Sequence, residues 1–163
     1  MSIEAKFFPA EIPPYLAAHG GVRALTPDEE GVLYLYGEEL RSYIVQAWPV
    51  DTGTSQDAFS FYTSADPAQG FGIVVENPMF YAEYVHRAGT APEPPLWRTL
   101  LPEAWATVKG PMLKALFAEI DATEAQRALL ASRKGASRRE VSRQLSRRAD
   151  PFEALRRRIA GLL

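Results

Sequence analysis

Apolar and polar positions alternate in two distinct rhythms along this chain. Leu33, Tyr36, Leu40, Tyr43, Ile44 and Ala47 recur at spacings of three and four, which predicts one buried face of a helix ending near residue 47. Thr26-Pro27-Asp28-Glu29 supplies its start. Thr26 can cap, Pro27 suits the first helical position, Glu29 completes a capping box, and the acidic first turn favours the positive end of the helix dipole. Gly31 and Gly37 weaken it locally, and Pro49 ends it. Beyond residue 57 the rhythm changes to two. Ala58-Phe59-Ser60-Phe61-Tyr62-Thr63 and Phe71-Gly72-Ile73-Val74-Val75-Glu76 read as strands, with Asp66-Pro67 and Gln69-Gly70 turning the chain between them and Asn77-Pro78 closing the second. An antiparallel hairpin is expected.

The period then returns to helical. Residues 79–87 predict one or two turns, aromatic on one side. Ala91-Pro92-Glu93-Pro94-Pro95 is a stiff connector. Leu96, Leu100, Leu101, Trp105, Val108, Met112, Leu116 and Ile120 form the stripe of another helix, which Gly110-Pro111 is expected to kink. Thr123-Glu124-Ala125-Gln126 reads as the cap of a further helix through Leu130, and Ser137-Arg138-Arg139-Glu140 as a capping box for a last basic stretch. Leu155, Ile159 and Leu162 give that stretch a narrow apolar edge. Upstream, residues 1–25 are punctuated by Pro9, Pro13 and Pro14, with a short helix expected over 14–18. They read either as an extended contact arm or as a docked terminus.

The expected fold is therefore α+β. A long amphipathic helix and a second, kinked helix pack on a small antiparallel sheet, with a basic helical C-terminal tail. The expected organisation is an arm over 1–25, an α+β domain over 26–122 and a basic extension over 123–163.

Composition narrows the chemistry. At 163 residues with 47% hydrophobic and 23% charged, the chain suits one globular domain. No apolar run is long enough for a membrane span, and Met1 to Lys6 do not open a secretory leader. The absence of cysteine excludes disulfides, thiolate zinc sites and a thiol nucleophile, and fits a reducing cytoplasm. Two histidines, His19 and His86, are too few for a histidine metal cluster, and no glycine-rich loop precedes Lys-Ser or Lys-Thr. No cofactor is expected.

The net charge of −2 conceals a division. Residues 124–163 carry 11 basic and 4 acidic side chains, net +7, whereas residues 1–123 carry 7 and 16, net −9. Such a split marks a surface for a partner. Arg138, Arg139, Arg143, Arg147, Arg148, Arg156, Arg157 and Arg158 suit either DNA phosphates or an acidic face of a neighbour. Only Phe152 is interleaved among them, which argues against base stacking.

Val50-Asp51-Thr52-Gly53-Thr54-Ser55 is the one stretch with a catalytic reading. An aspartic protease needs two carboxylates sharing a proton, so one Asp-Thr-Gly would require a dimer. The helical pattern upstream and Pro49 argue for a turn instead, with Pro49 stopping the helix, Asp51 tying the backbone and Gly53 allowing positive φ.

Several motifs also occur in a particular order. Pro49-Val50-Asp51-Thr52-Gly53 closes the long helix and a hairpin follows. Tyr81-Ala82-Glu83-Tyr84-Val85, Gly89-Thr90, a proline-rich link and Leu96-Trp97-Arg98-Thr99-Leu100-Leu101-Pro102 come next. Over about residues 28–120 this order resembles the neck proteins of long-tailed bacteriophages, the head–tail joining or tail-completion proteins. The resemblance implies a non-enzymatic virion subunit in a homo-oligomeric ring, with a hexamer favoured, at the head–tail junction. It implies assembly in the host cytoplasm and contact with other neck and tail proteins and with packaged DNA. Tyr81, Tyr84, Gly89, Pro94 and Trp97 are then expected at contacts between subunits or with partners. The pattern departs after Gly53, where Thr54-Ser55-Gln56-Asp57 stands in place of a basic, Leu-containing stretch, and one extra residue separates Val85 from Gly89.

Overall fold

A computed structural model describes residues 2–49, 53–87 and 93–132. The fold is α+β: two long helices pack against a three-stranded antiparallel sheet. Strand β1 (Ile3–Phe7) and helix α1 (Ile12–Ala18) precede the long helix α2 (Pro27–Ala47). A single-turn helix α3 (Thr54–Asp57) leads into β2 (Ser60–Asp66) and β3 (Gly70–Asn77). A 3₁₀ turn (Ala82–Tyr84) and helix α4 (Leu96–Ser132) follow.

Helix α2 begins as its sequence predicts. The Thr26 hydroxyl accepts from the Glu29 N–H at 3.3 Å, and the Glu29 carboxylate accepts from the Thr26 N–H at 2.8 Å. Val32, Leu33, Tyr36, Leu40 and Ile44 are buried along one face. Tyr43, expected on that face, is 40% exposed. Trp48, one residue past the helix, is buried against Phe59 with ring centroids 4.8 Å apart.

Residues 1–25 contribute to the core directly. β1 pairs with β3 from Ile3 opposite Asn77 to Phe7 opposite Ile73, so the expected hairpin is two strands of a sheet ordered β1-β3-β2. Ile3, Ala5 and Phe7 join Ile73 and Val75 on the core side, and Phe7 stacks on Trp105 of α4 at 5.0 Å. Glu4 and Lys6 point to the other face and pair with each other at 3.0 Å. Helix α1 buries Ile12 and Leu16. Its Tyr15 ring lies between His19, at 4.0 Å, and Phe117 of α4, at 3.7 Å, and its hydroxyl donates to Asp121 at 2.8 Å.

Helix α4 differs most from expectation. It is one helix of 37 residues, about 55 Å long at 1.5 Å per residue, and it contains Pro102 and Pro111. The helix expected to begin at Thr123 is its continuation. The Thr123 hydroxyl donates to the Glu119 carbonyl four residues back, so it bonds within the helix instead of capping a new one. The boundary expected at residues 122–123 therefore falls inside a helix, and the basic stretch from Arg133 onward lies outside the described residues.

Candidate functional site

Pro49, Gly53, Tyr81 and Val85 line one groove, together with Trp48, Ser55 and Gln56. Its volume is about 440 Å³, and most of its lining is apolar. The two segments that carry the resemblance, one after α2 and one around the 3₁₀ turn, thus meet in space although the hairpin separates them in sequence.

Hydrogen bonds fix the walls. Trp48 Nε1–H donates to Ser55 Oγ at 3.2 Å. Asn77, fully buried at the end of β3, donates from Nδ2 to the Ser55 carbonyl at 2.8 Å, and its Oδ1 accepts from the Met79 N–H at 3.0 Å. Gln56 Nε2 donates to the Val45 carbonyl at 2.6 Å, which ties α3 to the last turn of α2. On the far side the Leu96 N–H donates to the Val85 carbonyl at 2.6 Å, joining the turn to the start of α4. Gly53 has φ 81°, a left-handed conformation that glycine adopts without steric cost, and it opens α3. That turn into a helical segment replaces the direct passage from turn to strand that the sequence predicts.

Next to the groove, Phe80 is 70% and Tyr84 64% exposed, large values for aromatic side chains. Tyr81 is half-buried and meets Phe80 edge-on at 5.3 Å. A second groove, lined by Tyr43, Ala47, Pro49, Leu96 and Leu100, has Arg87 and Glu103 at its rim, paired at 3.2 Å. Pro94 is exposed and borders a smaller depression beside Thr99 and the same ion pair. Trp97 is half-buried under the Arg98 guanidinium, 5.5 Å from its ring, and its indole N–H finds no acceptor among the described residues.

The structure therefore brings Pro49 and Gly53 together with Tyr81, leaves Tyr84 and Pro94 accessible, and keeps Trp97 partly covered. Asp51, Gly89 and Arg138, Arg139, Arg143, Arg147, Arg148, Arg156, Arg157 and Arg158 lie outside the described residues. Trp48, Ser55, Asn77 and Phe80 are site residues that the sequence reading does not single out. Asn77 has a visible signal, because Asn-Pro after a strand marks a backbone that needs a side-chain partner. Trp48 has none, since its burial follows from Phe59 crossing beneath it.

Among the described residues no group of three or more His, Asp or Glu side chains is placed to hold a metal ion, and no helix is long and apolar enough to cross a membrane. Comparison with protein-family profiles, with curated proteins and with solved structures gives no match.

Proposed function

We propose that this chain is a structural subunit of the neck of a tailed bacteriophage, forming a ring at the head–tail junction as a tail-completion or head–tail joining protein. The observation that carries this reading is the convergence of Pro49 and Gly53 with Tyr81 and Val85 on one apolar groove flanked by the exposed rings of Phe80 and Tyr84. Exposed apolar surface of this kind marks contact between proteins. The split of charge between residues 1–123 and 124–163 suits head-to-tail association, in which a basic surface of one copy meets an acidic surface of the next. A hexamer is favoured. The other neck and tail proteins are its partners, the arginines from Arg138 to Arg158 reach packaged DNA or a neighbour, and the protein is carried in the virion without enzymatic activity or cofactor.

Mass measurement of the purified protein, with electron microscopy of virus particles, tests this. A ring or a particle-bound subunit is expected. A chain that stays monomeric under all conditions and is missing from particles would overturn the reading. Deleting residues 135–163 is expected to weaken DNA binding and flatten its salt dependence. Unchanged binding would remove the DNA contact.

The aspartic-protease alternative rests on Asp51. The elements on either side of it are α2 and α3, both helical, where that chemistry would place the acid on a loop after a strand. Asp51→Asn separates the readings: assembly survives under the structural proposal, whereas peptide cleavage by a dimer would be abolished.

A further inference from the structure

The loop before α2, the start of α2 and β2 enclose a separate groove of about 220 Å³. Leu25, Leu33, Ala65 and Phe71 give it apolar walls. Glu30 stands at its rim, where its carboxylate accepts from the Thr63 hydroxyl at 3.3 Å. Asp28, two residues earlier on α2, and Asp66, on the opposite face of β2 beside Lys6, face away from it. Glu30 makes no ion pair among the described residues. The groove is therefore a largely apolar slot with one carboxylate, Glu30, at its rim.

We propose that residues 152–162 of the same chain dock into this slot. Charge is the first reason. Residues 133–163 carry ten basic and three acidic side chains, net +7, against eight and seventeen, net −9, in residues 1–132. Shape is the second. Phe152, Leu155, Ile159 and Leu162 recur at spacings of three and four, the pattern of one apolar helical edge, and Arg156, Arg157 and Arg158 lie beside it. An apolar edge flanked by cations complements an apolar slot with the Glu30 carboxylate at its rim.

Position is the third reason, and it selects the same chain over a neighbour. Glu124 of α4 lies 3.6 Å from Arg23, and Arg23 adjoins Ala24 in the wall of the slot. Helix α4 runs only two turns further, to Ser132. The nineteen residues 133–151 span up to about 65 Å when extended, which is ample for a return to the slot. Attachment to the same chain raises the local concentration of the segment to about the millimolar range. Docking would hold the basic segment on its own body before assembly, and a neighbour's acidic surface or a polyanion would then compete with the slot for it.

Hydrogen exchange of the intact chain tests the contact from both sides. The paired substitution Leu155→Asp with Ile159→Asp is expected to raise exchange in residues 24–25 and 63–66 by about fivefold or more, the equivalent of about one kilocalorie per mole of lost protection. Glu30→Lys is expected to raise exchange in residues 152–162, and 1 M salt to do so in part, because the screening length falls to about 3 Å. Glu30→Lys should stay close to wild type in melting temperature, since Glu30 is exposed, and a cooperative thermal transition checks that the paired variant keeps a folded body. The coupling should be independent of protein concentration. Exchange at the slot that ignores the paired substitution would overturn the proposal. So would coupling that appears only as the mass rises above one chain, which would assign the docked segment to a neighbouring copy.

Discussion

The guanidinium of Arg23 donates to both carboxylate oxygens of Glu29, at 2.7 and 2.8 Å, and Glu29 is fully buried. Glu29 also accepts the Thr26 N–H, so one carboxylate closes the capping box and fixes the loop that precedes α2. Arg23 reaches Glu124 of α4 at 3.6 Å. A single pair thus joins the loop, the start of one long helix and the late turns of the other. Breaking such a pair leaves a buried charge without its counterpart. Arg23→Ala is expected to destabilise the protein by about 3 kcal/mol in urea titration, and more than Arg127→Ala, whose contact to Glu124 is exposed.

The same carboxylate gives stability a dependence on pH. Burial pushes the Glu29 carboxyl up, but the hydrogen bonds from Arg23 and Thr26, with the Arg23 charge, push it down further, so the net position lies below the usual carboxylate value. A group whose folded pKa is depressed stabilises the fold fully above the unfolded pKa and loses that contribution as pH falls through the folded value. The melting temperature should therefore hold as pH falls to about 5 and drop below about 4, where an unfolded glutamate protonates. Glu29→Gln should lower the melting temperature at neutral pH and reduce the acid-side drop.

Asn77 holds the groove together from beneath. Its amide bonds the Ser55 carbonyl and the Met79 N–H with no exposure to water. Asn77→Ala would leave both backbone groups without partners, and about 2 kcal/mol of stability should be lost. Trp48, bonded to Ser55, reports the change, so its fluorescence should shift towards that of a more solvated indole.

Gly37 illustrates how helix propensity yields to packing. Alanine is normally favoured in a helix by about 1 kcal/mol. Here a Cβ at residue 37 would clash with Cε2 of Phe61, whose ring packs across α2 and against Tyr34 at 5.1 Å. Gly37→Ala should therefore destabilise by about 1–3 kcal/mol. Adding Phe61→Leu should recover part of that loss.

The exposed rings offer a test of the proposed ring that leaves the fold alone. Phe80→Ser and Tyr84→Ser remove large apolar groups from the surface, so melting temperature should shift by the equivalent of less than about 0.5 kcal/mol. Self-association, read by native mass spectrometry, should weaken substantially. Equal association in wild type and variants would move the interface elsewhere.

Elements that local chemistry specifies are legible in the amino-acid order alone. Thr26 and Glu29 announce α2, and Phe61 and Val75 keep the period of two that makes the hairpin. β1 carries the same signal in miniature, with apolar Ile3, Ala5 and Phe7 alternating with Glu4 and Lys6, but its partner lies far along the chain. Local pattern does not encode such pairing. Thr123 misleads for a different reason, because a threonine followed by an acid has the composition of a cap even where its hydroxyl bonds back into a continuing helix. At the groove, Gly53 is readable as a turn and Tyr81 as part of an aromatic-sided segment. Their meeting is not, since it depends on Asn77 at the end of β3 bonding the Ser55 carbonyl of α3.

The strand order also predicts a sequence of events in folding. β2 and β3 are joined by a tight turn and can zip together from Asp66 and Gly70 outward, a local step of microseconds. β1 must instead return to the far edge of β3 after the long helix and the hairpin have been laid down, closing a loop that runs from Phe7 to Ile73. Until that closure, β3 presents an open edge beside Ile73 and Val75. The chain's first strand thus serves as its own late-arriving guard against pairing with a stranger.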